Sequence, residues 1–441
     1  MGSLIISRRW GCLLLIEPSQ LAIKGGPRAV TIAWERDWPL IGSEEIEAVV
    51  DLMRRRVLSI YDRSGIIAEF EDSFADYHAL GSRRPYVVAH NSGTSALNAA
   101  YFGLGLMPGD EVIVPTYTFL ATVVPLLNCG AVPVFADMDP ETLNIAPASV
   151  ARLITPRTRA VVVTHMWGHP ADMEELCRIC EQSGLPLIED CSHAHGATIN
   201  GRKVGTFGTV ACFSLEGHKP IVAGEGGALV TSSREVYERA LMLGHFGKRI
   251  KEEVAAPELR PFVQTGFGQK YRMHPLAAAI ANQQIRRLDG RNEQRRVNLE
   301  FLADLLSDVP GVQPPRARPG FSYGGWYGFK VRYDAAQLGG LPIGQFIAAL
   351  QAEGVQAKKP GSPPLHNLPL FALTRDRARQ LVLPWAEMLP DAPRKTEECP
   401  VAEAVYPTLI SLPTFSGDCN AVIRQYGEAF AKVASSWREL V

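Results

Sequence analysis

The sequence has no long hydrophobic run. In 441 residues no apolar stretch approaches the roughly 20 that a membrane helix needs, so a spanning protein is not expected. It has no excess of either charge: Lys and Arg number 45, Asp and Glu 46, for a net charge of -1. That balance points away from nucleic acid as a partner and away from an electrostatic membrane anchor. Cysteines are few and scattered, at 12, 129, 177, 180, 191, 212, 399 and 419, which is not a disulfide framework in a chain of this length. The expected compartment is the reducing cytoplasm. Cys177 and Cys180 make a CxxC, but inside a helical pattern over 172–183, as two helix positions without redox work. No internal repeat, no GxxxxGK[ST] phosphate loop and no metal site are expected. A secretory signal is not expected either, and the start is read as an extension. Arg8 and Arg9 precede an apolar run, 12–16, that is too short, and no small-residue cleavage site follows.

What is present is ordinary globular composition, 46% hydrophobic and 21% charged, with length enough for two or three domains. Helix periodicity runs over 44–55 and 66–80. Apolar β-runs follow at 86–89, 111–115, 132–137, 160–165, 185–190, 210–215 and 227–232. Helical patterns at 96–106, 116–127, 148–154 and 172–183 separate the first five. Strands alternating with helices in this way predict an α/β fold: a mostly parallel seven-stranded sheet covered by helices on both faces. The sixth and seventh runs are joined by only about eleven residues, short for a crossover, so the seventh is expected to run antiparallel. Functional residues should gather at the carboxyl ends of the parallel strands. After Tyr271 the character changes. Amphipathic helices at 275–288 and 293–307, a Pro-rich connection, a strand at 326–333, helices at 343–353 and 421–440 and an extended loop at 359–369 read as a smaller C-terminal α+β domain. The expected organisation is an extension, 1–23, a large domain, 24–270, and a small domain, 271–441.

The chain is organised around VACFSLEGHKPIVAGEGGALVTS, 210–232. Lys219 sits in a turn between two apolar strands, closed by the loop Gly224-Glu225-Gly226-Gly227. Such a lysine is either a solvated surface group or, held between strands by a Gly-rich loop, a Schiff-base nucleophile. Four further signals fall at strand ends. Asn91-Ser92-Gly93-Thr94-Ser95 bridges strand and helix, as a plain N-cap or as an anion pocket suited to phosphate. Phe119, after the second strand, is a core residue or a ring that lies flat on a planar group. Asp190 ends the fifth strand, where a carboxylate is costly without a cationic partner such as a protonated pyridine nitrogen; His193 and His195 follow it. Ser214 is a strand-end serine bonded to its own backbone or a further phosphate donor. A phosphate pocket, a ring stacker, a carboxylate and a lysine are together the four functions that pyridoxal 5′-phosphate requires.

With these in hand, the chain resembles the DegT-type sugar and cyclitol aminotransferases, fold type I pyridoxal-phosphate enzymes. The motifs that carry the resemblance are NSGTSAL, VPTYTF, IEDCSHAHGA, FSLEGHKPIVAGEGG, YRMHPLAAAIANQQ and CPVAEAVYPTLISLPTF, spread over nearly the whole chain. The resemblance implies Lys219 as the Schiff-base lysine and general acid/base. It implies Asp190 on the pyridine nitrogen and His193, where Gln is usual, near the 3′-oxygen. It implies Phe119 as the stacking ring and Gly93, Thr94, Ser95 and Ser214 as phosphate ligands. It also implies a homodimer with sites at the interface, where Lys270 replaces the Asn that reaches the partner's phosphate. The late segment Pro360-Gly361-Ser362-Pro363-Pro364-Leu365-His366 departs from the His-Tyr-x-Pro-Leu-His of sugar enzymes and is closer to the cyclitol or aminobenzoate branch.

The expected activity is transfer of an amino group from glutamine or glutamate to a ketone on a sugar, nucleotide sugar or cyclitol, in amino-sugar or aminocyclitol synthesis. Two other readings stay open. Some members dehydrate a sugar and carry His in place of the lysine; here His218 is adjacent, but Lys219 is retained. Others are non-catalytic partner subunits with a degenerate site.

Overall fold

Seven short apolar strands build the central sheet of the computed structural model, which describes residues 20–35, 37–391 and 397–441. The expectations for residues 1–19 lie outside the described residues. In chain order the strands are β1 (Tyr86–His90), β2 (Glu111–Pro115), β3 (Val132–Ala136), β4 (Thr158–Thr164) and β5 (Leu187–Asp190). After a small hairpin, β6 (Thr198–Ile199) and β7 (Arg202–Lys203), come β8 (Val210–Ser214) and β9 (Gly227–Thr231). Their order across the sheet is β1-β9-β8-β5-β4-β2-β3. Every residue of β2, β5 and β9 is buried, so these strands carry no polar alternation and need a helix layer on each face.

Only β9 runs against its neighbours, pairing antiparallel with β8 and β1. The short link from β8 leaves no room for a crossover helix. The carboxyl ends of β1, β2, β4, β5 and β8 therefore share one edge with the amino end of β9, and that edge carries the Lys219 turn.

Two expected elements differ. The helical pattern at 116–127 is instead a loop with two short 3-10 turns, Leu120–Thr122 and Val124–Cys129. Pro125 cannot donate a backbone hydrogen bond, and β-branched Thr122, Val123 and Val124 crowd a helical turn. The threonines find other partners: Thr118 Oγ1 bonds Thr122 Oγ1 at 2.8 Å and Thr164 Oγ1, at the end of β4, at 2.9 Å. The strand expected from 326 starts only at Phe329, because Trp326 adopts a left-handed φ of 42°.

A second sheet joins β10 (Val312–Gln313), β12 (Phe329–Tyr333) and β13 (Leu409–Leu412), while β11 (Phe321–Ser322) pairs with β6. Phe329, Val331 and Tyr333 alternate into a core with Phe346, Phe415 and Phe430. The chain start packs there too. Leu21 and Val30 join that core, and buried Glu353 accepts the Ala22 and Ala29 N–H groups at 2.8 and 2.9 Å while pairing with Lys432 at 2.9 Å. Leu365, Cys399, Ala402 and Val405 return to the core of the large sheet. There Asp137, just past β3, accepts the Val401 and Ala402 N–H groups at 2.9 Å each. No helix among the described residues is long and apolar enough to cross a membrane.

Candidate active site

The turn after β8 holds Lys219 by a bond from its own N–H to Glu216 O, 2.9 Å, and by the Ala223 N–H to Leu215 O, 2.8 Å. Lys219 is only 8% exposed, whereas His218 faces solvent. The turn thus presents the lysine, not the histidine, to the interior. Its Nζ lies 4.2 Å from the centre of the Tyr327 ring, with no carboxylate at ion-pair distance among the described residues.

Across the edge from it, the helix Gly93–Gly103 starts directly after β1. Ser92 caps the helix, accepting the Ser95 N–H at 3.0 Å, and Ser95 Oγ turns back to Asn91 Oδ1 at 2.7 Å. The Ser95 hydroxyl is therefore committed to the cap. The first-turn N–H groups of Gly93 and Thr94 remain directed out of the helix end. The backbones close in tightly here. A Cβ on Gly93 would lie 2.7 Å from the Cβ of Ser214, and one on Gly227 would lie 2.3 Å from Ser92 O. Glycine is required at both positions, and what results is a cradle of backbone N–H and hydroxyl groups at the start of a helix.

Asp190 is buried, with Oδ2 accepting from the Thr122 hydroxyl at 2.7 Å and Oδ1 from the Ser192 N–H at 3.0 Å. The loop that failed to form a helix thus delivers Thr122 to the carboxylate. His193 is buried with Nδ1 unpartnered, and its ring stacks on Tyr327 at 4.1 Å and on Trp167 at 5.5 Å. Phe119 is 50% exposed at the same edge. Lys270 is exposed; its carbonyl accepts from Asn91 Nδ2 at 3.4 Å, and its ammonium has no partner among the described residues.

Tyr327 and Trp167 were not singled out from sequence. Trp167 follows β4 at a left-handed φ of 59°, a strained setting for a bulky residue, and the absent side chain of Gly328 makes room for its indole. The only local signal was two Gly-flanked aromatics, MWG and WYG, near strand ends. The late segment also comes close: His366 Nδ1 lies 2.5 Å from Thr116 Oγ1, and His366 Nε2 lies 3.2 Å from Glu403.

His165, Glu189 and Cys191 come together as a trio of metal-ligand types. Their hydrogen bonds explain them without an ion. His165 Nδ1 accepts the Ala171 N–H at 3.0 Å, so Nε2 carries the proton toward Glu189 at 3.1 Å. Glu189 also accepts N–H groups from Gly205, Phe207 and Gly208.

Burial holds the His193 pKa well below 6.5, reinforced by the cations of Lys219 and Lys330, so its ring is neutral at neutral pH. Other histidines are held down mainly by burial too: His78 and His169 to about 4, His90 and His195 to about 3. The unfolded chain, with ordinary histidines, binds more protons than the folded one below pH 6.5. Stability is then full above that pH and falls toward pH 4, by ~1.4 kcal/mol per pH unit for each such group. Urea unfolding midpoints should be level between pH 7 and 8 and drop steeply by pH 5.5. A midpoint unchanged down to pH 5 refutes this.

A buried lysine at the carboxyl edge of a mostly parallel sheet, facing a helix-start cradle and a strand-end aspartate, defines a fold type I pyridoxal-phosphate enzyme. More narrowly, the chain belongs to the DegT/DnrJ/EryC1/StrS aminotransferase family, whose profile matches residues 39–429. It is a pyridoxal-phosphate-dependent aminotransferase. It is 34% identical to an L-glutamine:scyllo-inosose aminotransferase of Streptomyces griseus, over 96% of this chain and 99% of that one. It is 37% identical to an L-glutamine:2-deoxy-scyllo-inosose aminotransferase of Streptomyces fradiae, over 76% of this chain and 79% of the other. Among solved structures, DesI in the presence of its TDP-sugar product superposes with a TM-score of 0.75 at 29% identity, covering 95% of this chain and 97% of DesI.

Proposed function

We propose that this aminotransferase moves the amino group of L-glutamine to the ketone of a cyclitol, in the formation of an aminocyclitol. The observation that carries the reading is the buried, unpaired Lys219 amine set among rings opposite the Gly93–Ser214 cradle. The substrates named in the two Streptomyces relatives support the cyclitol and the glutamine.

The residues present fit the cofactor. The Lys219 amine has no acceptor among the described residues, His193 Nδ1 is an orphaned buried polar atom, and a side chain on Gly93 or Gly227 would fill the cradle. Bound pyridoxal 5′-phosphate supplies an aldehyde to take up the amino group and a ring that accepts electron density. Lys219 attaches it, then moves the proton at the substrate carbon through Nζ. Asp190, oriented by Thr122 and Ser192, holds a proton at the pyridine nitrogen. Gly93, Thr94, Ser95 and Ser214 receive the phosphate; Ser95 must exchange a cap bond to do so, because its N–H and its hydroxyl both serve the cap. Phe119 covers the ring face. The proposal includes a homodimer with Lys270 reaching the partner's phosphate; the unpaired ammonium and half-exposed Phe119 are what a second copy would cover. It also includes a division into a large unit, 24–270, and a small one, 271–441.

The test is amino transfer from L-glutamine to scyllo-inosose or its 2-deoxy analogue, followed by mass spectrometry. Absence of an aminated cyclitol with both ketones counts against the acceptor class. His193, neutral, would donate one hydrogen bond to the 3′-oxygen. His193→Ala should therefore lower kcat/KM by roughly tenfold, the worth of one such bond, while His193→Gln keeps most of it. Equal losses in both variants would show that the ring stack, not the hydrogen bond, matters.

A further inference from the structure

A second lysine stands on the far side of the ring cluster that faces Lys219. Lys330 lies on β12, on the sheet face opposite Phe329 and Val331, and its Nζ is 3.8 Å from the centre of the Trp167 ring. Trp167 and Tyr327 stack nearly parallel, 6.2 Å apart, so the two lysines flank one aromatic cluster.

Pairing across the small sheet adds a third cation. Lys330 is opposite Ser411 on β13, and Ser411 in turn bridges Lys358 on its other side. Residues paired this way share one sheet face, so Lys330, Ser411 and Lys358 lie side by side on it, with Lys358 exposed. Arg332, two residues along β12, lies on that face as well, with Nη1 on Pro140 O at 3.2 Å. Lys330 has neither an ion pair nor a hydrogen bond among the described residues. It walls a cavity of about 300 Å³ with Trp167, His169, Tyr323 and Arg318. Arg318 is occupied by Asp139 at 3.2 Å, so among the described residues Lys330, like Lys219, is an uncommitted cation against the rings.

We propose that Lys330, backed by Lys358, receives the carboxylate of the amino donor. The assignment rests on the aminotransferase reading above. A cyclitol ketone has no anionic group, whereas every amino-acid donor has one, so an unpaired cation across the ring cluster from Lys219 serves the donor half. Burial and the neighbouring Lys358 hold the Lys330 amine at about 7. A carboxylate seated against it restores the ammonium, which makes the bond charge-assisted.

The experiment titrates the cofactor-loaded enzyme with glutarate, a dicarboxylate without an amine, by calorimetry. Wild type should bind it, Lys330→Gln about tenfold or more weakly, and Lys330→Arg within a fewfold of wild type. In stopped-flow half-reactions, Lys330→Gln should raise the concentration of L-glutamine needed for half-maximal rate by a similar factor, with little change in the limiting rate. The reverse half-reaction with an aminocyclitol, which has no carboxylate, should be unmoved. The proposal is overturned if glutarate binds wild type and Lys330→Gln equally, or not at all. It is also overturned if both half-reactions suffer alike, or if inorganic phosphate competes at Lys330 as strongly as glutarate. Wild type that binds glutarate but transfers no amine would instead refute the function proposed above.

Discussion

Lys219→Ala should lower kcat/KM by at least about 10⁴-fold, because in the proposed reaction one side chain performs both covalent attachment and proton transfer. Borohydride reduction of the wild-type enzyme should leave cofactor on the peptide that contains residue 219, and reduction of the variant should leave none. Lys219→Arg should fail as fully, since a guanidinium stays protonated and is no nucleophile. The variants should nevertheless fold. Among the described residues the amine has no acceptor whose loss would leave a buried group unpaired, and truncation removes a cation that presses on neutral His193. Activity within tenfold of wild type, or label on another lysine, would remove Lys219 from the mechanism.

The second large effect is on stability. Glu71 is fully buried and takes both guanidinium nitrogens of buried Arg249, at 2.8 and 3.0 Å. It also accepts the Ala89 N–H of β1 at 2.8 Å and a bond from Arg63 at 3.0 Å. Glu71→Ala leaves buried Arg249 with Glu253, 3.0 Å from its Nε, as its remaining counter-charge and should cost up to roughly 3–5 kcal/mol, a large share of the ~5–15 kcal/mol available to a folded domain. Replacing the pair together, as Glu71→Leu with Arg249→Met, should cost less, because both fully buried charges go and the partners left behind, Arg63 and Glu253, are partly exposed. A urea double-mutant cycle measures both; additive losses would show that the two residues do not act as a pair. Function is tied to the same contact, since β1 leads directly into Asn91, Ser92 and the cradle.

How much of this was legible beforehand depended on the reach of each signal. The alternation of apolar strands and helices was local, so the sheet, its seven strands and the reversed seventh could be read from spacing. The Lys219 turn was legible because two strands and a glycine loop bracket it within one stretch. The helix expected at 116–127 failed because its threonines bond across to β4 and Asp190. Those partners are distant in the chain, and no local periodicity reports them. Trp167, Tyr327 and Lys330 went unseen for the same reason. Each is unremarkable alone and acquires meaning only when β12 is laid against the loop after β4.

By itself, then, the sequence determined the class of fold, the family and the strand-end placing of Lys219 and Asp190, because apolar periodicity and short glycine-bracketed motifs act over a few residues. Only the tertiary structure decided which hydroxyls the cap consumes, which rings enclose the amine and where an unpaired cation waits. Burial and pairing are properties of surfaces brought together from remote parts of the chain, and they exist only once those surfaces meet.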